Sequence, residues 1–115
     1  IGIDHTVEPA WARKCVAEAQ TSARKFAKTC GDKDTAHPVA LQGNLDPALL
    51  YAKPEVIFDR VNRMLDSQYG GFGGGGALIC NLGHGITPNV DPEHLRAFLM
   101  AVRRISKEII ARQDE

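Results

Sequence analysis

Short apolar runs alternate with longer amphipathic segments along this chain, and the alternation predicts three strand–helix units. The apolar runs cover residues 1–4, 39–42 and 77–80, and the helices after them start near Pro9, Pro54 and Pro92. Parallel strands need a crossover connection, which is usually a helix. Repeated strand–helix units therefore predict an α/β fold with a parallel sheet.

The helices are predicted from apolar side chains at helical spacing and from residues that favour a helix start. Asp46 and Asp91 each precede a proline, the pattern of an N-cap residue with proline at the first helical position. Asp46 thereby predicts a short helix over residues 48–51. The predicted core faces are Trp11, Cys15 and Val16, with Ala12 and Ala19 beside them; Ile57, Val61, Met64 and Leu65; and Leu95, Phe98, Leu99, Val102, Ile105 and Ile109.

Two stretches interrupt this plan. Residues 18–37 are mostly polar and predict an insertion, which either prolongs the first helix to about Thr29, with Gly31 as its end signal, or forms a solvated surface segment. We favour a frayed helix that ends in a loop. The glycine-rich residues 70–76 follow a helix and precede a strand, the reverse of a phosphate-binding loop. They predict a flexible connector at the sheet end opposite the ligand site.

The predicted strands are short and apolar throughout, which is typical of parallel strands covered on both faces. Three units alone would leave long unpaired strand edges, whereas a (β/α)8 barrel of about 250 residues closes its sheet. We therefore expect residues 1–115 to be the C-terminal part of a single barrel domain, its last three strand–helix units. The start fits this expectation, because Ile1 lies in what resembles the end of a strand already under way.

Composition narrows the class of function. Lysine plus arginine equals aspartate plus glutamate at 14 each, so bulk charge gives no support for binding nucleic acid or a membrane surface. No apolar run approaches the ~20 residues of a membrane span, and no signal peptide is visible. Cys15, Cys30 and Cys80 are widely spaced, form no CxxC pair and are expected to be reduced thiols.

The strongest candidate for chemistry is His84, which lies between Gly83 and Gly85 just after the third predicted strand. Ligands of parallel α/β folds bind at the C-terminal ends of the strands, and flanking glycines let backbone and ligand approach closely. A histidine there can donate a hydrogen bond to a carboxylate or act as an acid or base. The alternative is a turn histidine that is hydrogen-bonded to nearby backbone.

Further polar residues follow the strands and are possible lining residues of the same cleft. They are Gln42, Asn44 and Asn81, with Asp4, His5 and Thr6 at the end of the first strand. Asp46 follows the second strand in the same way. The alternative role of Asn44, Asp46 and Asn81, and of Asp4 or Thr6, is to fix a turn or loop; it is the safer interpretation for Asn81 and, as a helix cap, for Asp46. His37 and His94 are expected at the surface, and no histidine spacing predicts a metal site.

Four segments of the chain match the pattern of a known family: Gly2-Ile3-Asp4, Leu41-Gln42-Gly43-Asn44-Leu45-Asp46-Pro47, Asn81-Leu82-Gly83-His84-Gly85-Ile86 and Asp91-Pro92-Glu93-His94-Leu95. In combination they resemble the C-terminal part of the uroporphyrinogen decarboxylases. The resemblance implies a (β/α)8 barrel, usually a homodimer, in the cytoplasm or a plastid. It implies removal of carbon dioxide from the four acetate side chains of uroporphyrinogen, giving coproporphyrinogen in tetrapyrrole (heme and chlorophyll) synthesis, with no metal or organic cofactor.

By this resemblance, one substrate contact of the family falls in this chain, at His84, which is expected to hydrogen-bond a substrate carboxylate. The family's substrate-holding arginines, its pyrrole-binding aspartate and its binding tyrosine and serine belong to an N-terminal part that these residues do not match. No catalytic residue is therefore assigned here, and the chain alone is expected to be inactive. His5 stands where the family often has tryptophan.

Two alternatives stay open: a zinc- and corrinoid-linked methyltransferase barrel, and a degenerate fragment with an interaction role. Related methyltransferases tend to carry a zinc-binding cysteine near the position of His84, whereas Cys80 lies four residues earlier, inside the predicted strand. That difference favours the decarboxylase. Association through exposed strand edges would support the interaction role.

Overall fold

The computed structural model describes residues 1–31, 39–69, 71–73 and 77–114. In chain order the elements are α1 (Pro9–Thr29), β1 (Leu41–Leu45), a 3-10 helix (Pro47–Tyr51), α2 (Pro54–Leu65), a second 3-10 helix (Ser67–Tyr69), β2 (Leu78–Leu82) and α3 (Pro92–Gln113). Of the helices described, none is long and apolar enough to cross a membrane. The elements alternate as the sequence pattern predicts.

The two strands pair in parallel, which confirms the predicted kind of sheet. Every residue of β1 is in register with β2, from Leu41 opposite Leu78 to Leu45 opposite Leu82. The connection between them contains α2, as a crossover between parallel strands requires. The C-terminal ends of both strands therefore lie at one edge of the sheet.

The first predicted strand is present as a single parallel bridge at Gly2 rather than as a full strand. The Ile3 N–H donates to the Gln42 carbonyl at 2.8 Å, and the Gln42 N–H donates to the Ile1 carbonyl at 2.8 Å. β1 therefore lies between the N-terminal segment and β2, and the three predicted strand positions lie side by side.

Both strands end later than predicted. Gly43, Asn44 and Asn81 were expected in turns, but they lie within β1 and β2. Glycine and asparagine favour turns when only local sequence is considered. Here, pairing with neighbouring backbone overrides that preference, because strand propensity depends strongly on tertiary context.

The core lies where α2 and α3 pack over the sheet. Its largest fully buried side chains are Leu41, Leu50, Ile57, Val61 and Ile105. The predicted face of α2 is confirmed, since its buried residues are Ile57, Val61, Met64 and Leu65. In α3 the stripe is confirmed at Phe98 and Ile105, whereas Leu99 is exposed. Burial of one such side chain stabilises the fold by roughly 1.5–3 kcal/mol.

The predicted face of helix α1 is confirmed only in part. Ala12 is buried and Val16 packs against the core, but Trp11 is 62% exposed, so its assignment to the core is wrong. Of the two forms considered for residues 18–37, the described part has the helix, which runs unbroken to Thr29, while residues 32–37 lie outside the described residues. Gly31 follows with a φ of 79°, the conformation expected of a residue after a helix end.

The helix-cap predictions at Asp46 and Asp91 are confirmed. The Asp46 side chain accepts from the Ala48 N–H at 2.9 Å, and the Asp91 side chain accepts from the Glu93 N–H at 2.8 Å. The caps fix where the Pro47–Tyr51 helix and α3 begin. The start of α3 in turn sets the length of the loop that carries His84.

Part of the glycine-rich stretch is described, at residues 71–73. The Phe72 N–H donates to the Met64 carbonyl at 2.8 Å, and the Phe72 side chain is buried. These residues thus fold back over the C-terminal end of α2 and precede the N-terminal end of β2. This part of the stretch lies away from His84; residues 70 and 74–76 lie outside the described residues, as does His37.

β2 is covered on one face only, contrary to the expectation for both strands. Leu78, Cys80 and Leu82 pack against the core, whereas Ile79 and Asn81 point to the opposite side and are exposed. Ile79 is 54% exposed although it is an apolar residue in a strand. β1, by contrast, is buried at four of its five positions.

Candidate ligand-binding site

A cavity of about 810 Å³ lies at the C-terminal end of β2, the position at which the sequence predicts a ligand site. Its lining comprises residues 2–4, Gln42, residues 80–86, and Leu95, Phe98 and Leu99 of α3. Strand-end polar groups therefore face an apolar wall supplied by a helix. Such a combination suits a ligand with an apolar body and polar substituents.

His84 lies on this cavity with its side chain exposed. Among the described residues, none hydrogen-bonds the His84 ring. The alternative of a turn histidine bonded to nearby backbone is therefore not what the structure shows. Both ring nitrogens are available, so the imidazole can donate to a carboxylate of a ligand.

The loop that carries His84 is held against the end of β1 and against the turn after the first strand position. The Gly83 N–H donates to the Leu45 carbonyl at 2.8 Å. A Cβ built on Gly83 would lie 2.3 Å from the His5 backbone nitrogen, so only glycine permits this approach. A Cβ on Gly85 would meet nothing within 4 Å.

Two contacts that the sequence did not indicate anchor the far side of this loop. The Tyr51 and Thr87 hydroxyl groups are hydrogen-bonded to each other. His94 was expected at the surface, but its ring is partly buried and its Nδ1 lies 2.6 Å from the Leu50 carbonyl. Both contacts join residues more than 30 positions apart, so no local pattern could reveal them.

Asp4 has the turn-fixing role considered for it. Its Oδ1 accepts from the Thr6 N–H at 2.8 Å. The hydrogen bonds from the Thr6 backbone and then from its side chain lower the pKa of Asp4, and the nearby imidazoles of His5 and His84 act in the same direction to a smaller extent. Asp4 is also one of the residues that line the cavity, and its negative charge lies near His84.

His5 lies behind His84 rather than on the same cavity. The two rings have centroids 6.4 Å apart and planes at 84°, an edge-to-face arrangement. The His5 Nδ1 is 3.5 Å from the Asp4 Oδ1. His5 lines a separate cavity of about 290 Å³, which Asn44 also lines.

Asn44 does not share the His84 cavity, contrary to the expectation from its place after the strand. It is only 7% exposed, and its Nδ2 donates to the Val7 carbonyl at 2.6 Å and the Asp4 carbonyl at 3.2 Å. Because β1 continues through Asn44, its side-chain amide holds the turn at residues 4–7 and does not face the His84 cavity.

Gln42 and Asn81 do line the cavity with His84. Gln42 is half-buried, and its backbone is paired to the N-terminal segment. The Asn81 Oδ1 accepts from the Leu82 N–H at 2.8 Å, a local bond of the kind expected for a loop-fixing amide. A role for either residue in ligand binding stays a prediction.

Cys80 is half-buried in β2, and burial raises the pKa of its thiol. The thiolate is the form that binds metals, so the environment of Cys80 disfavours that form. In residues 1–31, 39–69, 71–73 and 77–114, no group of three or more His, Cys, Asp or Glu side chains is placed to hold a metal ion.

The fold and the candidate site together define an α/β protein with a parallel sheet and a cavity at the strand ends. Residues 1–105 match the model of the family described as Uroporphyrinogen decarboxylase (URO-D). The match covers most of the chain and includes all four segments on which the resemblance rested. The chain belongs to the uroporphyrinogen decarboxylase family.

Curated relatives with the name uroporphyrinogen decarboxylase are similar over most of the chain. The protein of Pseudomonas fluorescens (strain Pf0-1) is 48% identical over 102 residues, which cover 81% of this chain and 26% of that protein. The protein of Hahella chejuensis (strain KCTC 2396) is 44% identical over 106 residues, which cover 92% of this chain and 23% of that protein. The chain thus spans about a quarter of the length of the curated relatives it matches.

Proposed function

We propose that this chain forms the C-terminal part of a uroporphyrinogen decarboxylase. The proposed enzyme removes carbon dioxide from the acetate side chains of uroporphyrinogen, and a proton takes the place of each leaving carboxylate to give the methyl groups of coproporphyrinogen. The observation that carries the proposal is His84, an imidazole without a hydrogen-bond partner among the described residues, on a cavity at the strand ends.

In this proposal His84 donates a hydrogen bond to one substrate carboxylate. A hydrogen bond to a charged group contributes roughly 1.5–3 kcal/mol, enough to orient a flexible acetate or propionate arm. The apolar wall formed by Leu95, Phe98 and Leu99 provides a surface for the macrocycle. Protonation of the electron-rich pyrrole supplies the electron sink, so the proposal includes no metal or organic cofactor.

We also propose that the chain supplies the last three strand–helix units of a (β/α)8 barrel. Three parallel segments lie side by side in chain order, as neighbouring barrel strands do. The exposed apolar side chain of Ile79 lies on the sheet face opposite the helices, where a barrel would have its packed interior. β2 is an edge strand in the described sheet, so a further strand can pair with it.

For the complete polypeptide that carries this chain, we propose a homodimer that acts in the cytoplasm. The family resemblance is the basis of the dimer. The relatives named above are bacterial proteins, which favours the cytoplasm over a plastid. Light scattering on the complete polypeptide tests the dimer, and a molar mass equal to one chain would contradict it.

The function is tested by decarboxylation of uroporphyrinogen with the complete polypeptide and three variants. His84→Ala is expected to lower kcat/KM roughly 10- to 150-fold, because it removes a hydrogen bond to a charged group. His84→Asn retains an N–H donor, so its kcat/KM is expected to fall less than that of His84→Ala. Met100→Ala, on an exposed position of α3, is the matched control and is expected to behave as the unsubstituted protein.

A further inference from the structure

His5 contacts His84 but does not line the cavity on which His84 lies. Its ring packs edge to face on the His84 ring, with centroids 6.4 Å apart. We propose that His5 is a positioning residue, which holds the His84 imidazole in the orientation that binds a carboxylate. This inference rests on the proposed function of His84 and adds a residue that acts through it.

The need for such a residue follows from the surroundings of His84. Within the described part of the chain, no hydrogen bond fixes its exposed ring. An exposed side chain without contacts samples several rotamers, and binding a ligand then requires ordering it. A ring packed against its side reduces that cost before the ligand arrives.

The backbone keeps the two rings in range of each other. Gly83 lies so close to His5 that a Cβ on residue 83 would be 2.3 Å from the His5 nitrogen and 2.7 Å from its Cα. The backbone of His5 is thus part of a close contact between the two loops, and His84 follows Gly83, the other residue of that contact. This backbone contact brings the two rings together.

The Asp4 carboxylate lies beside the His5 ring. Its carboxylate is held by the Thr6 N–H at 2.8 Å, and its Oδ1 is 3.5 Å from the His5 Nδ1. The Asp4 carboxylate, the His5 imidazole and the His84 imidazole therefore lie one after another, with His84 at the cavity. The side chain of His5 is only 30% exposed, which limits the rotamers open to it.

The test compares three substitutions at His5 in the complete polypeptide, with uroporphyrinogen as substrate. His5→Ala and His5→Leu remove the ring and are expected to raise KM about three- to tenfold with kcat changed less than about twofold, the range for loss of an edge-to-face contact. His5→Phe keeps a ring and is expected to stay within about twofold in both constants. His5→Leu fills the space of the ring, so it serves if His5→Ala does not fold.

A double substitution distinguishes positioning from an independent role. If His5 acts through His84, adding His5→Ala to His84→Ala produces no further rise in KM beyond about twofold. Additive effects, or a His5→Phe variant as impaired as His5→Ala, would overturn the inference. The inference would also be overturned if KM and kcat were unchanged in both His5→Ala and His5→Leu while His84→Ala is impaired. Failure of the proposed function is distinguishable from failure of this inference. It would appear as no turnover by the unsubstituted protein, or as no effect of His84→Ala on turnover.

Discussion

Gly83 and Gly85 flank the same histidine but meet different surroundings in the fold. The sequence predicted that both would provide backbone freedom and room for a ligand. Neither has a positive φ, and only Gly83 lies against another part of the backbone. The requirement for glycine at position 83 comes from a contact with His5, far away in sequence, which a local motif cannot reveal.

Gly83→Ala is expected to destabilise the protein by roughly 1–3 kcal/mol, because the new Cβ must displace the His5 backbone. Gly85→Ala is the matched control in the same loop and is expected to stay within about 0.5 kcal/mol of the unsubstituted protein. Urea denaturation of the two variants measures the difference. Equal stabilities would contradict the close approach of the two loops.

The turn at Asp4 is expected to keep its hydrogen bonds to a lower pH than a turn whose aspartate has an ordinary pKa. Hydrogen bonds from Thr6 lower the pKa of Asp4 in the folded state. Its contribution to stability is therefore fully present above the unfolded value of about 3.9 and is lost as the pH falls through the lower folded value. The chemical shift of the Thr6 amide proton, followed against pH, gives the midpoint.

The control for this titration is Asp4→Asn, which keeps an acceptor oxygen for the Thr6 N–H but cannot ionise. The acid-dependent change of the Thr6 amide shift is expected to disappear in that variant. A midpoint at or above about 3.9 in the unsubstituted protein would contradict the account of this turn.

At the scale of elements, the helices were predicted better than the strands. The face of α2 was predicted completely, because Ile57, Val61, Met64 and Leu65 recur at helical spacing. β1 was placed too early, because Gly43 and Asn44 favour turns and only pairing with other segments keeps them in a strand. Strand ends depend on partners that a local pattern does not contain.

The packing of α3 makes a direct prediction. Ile105 is 1% exposed in the core, whereas Met100 on the same helix is 64% exposed. Ile105→Ala is expected to lower the free energy of unfolding by about 2–5 kcal/mol through lost burial and a cavity. Met100→Ala is expected to change it by less than about 0.5 kcal/mol. Urea denaturation of both variants checks this, and a small effect of Ile105→Ala would contradict the described core.

At the scale of the whole molecule, the sequence predicted the end of the sheet at which the candidate cavity lies, but not all the side chains that line it. His84 was singled out because it follows a strand in a parallel α/β pattern and matches a family motif. Asn44 was misplaced because the strand continues through it, and the support from Tyr51 and His94 was missed. These side chains meet only when distant segments pack together, so their roles follow from the fold.

The chain by itself is expected to show no decarboxylation. It spans about a quarter of the length of its relatives, and the family resemblance assigns the other substrate contacts to the remainder. The same assay with uroporphyrinogen, applied to the 115-residue chain, checks this expectation. Turnover at a rate near that of the complete polypeptide would contradict the need for those contacts.

The central claim is that His84 binds a substrate carboxylate in a uroporphyrinogen decarboxylase. Its most direct test is the rate of coproporphyrinogen formation by the complete polypeptide, with His84→Ala and Met100→Ala measured beside it. The account predicts stepwise loss of the acetate carboxylates, slowed roughly 10- to 150-fold by His84→Ala and unchanged by Met100→Ala. A folded, complete polypeptide that does not convert uroporphyrinogen, or one that is indifferent to His84→Ala, would contradict it.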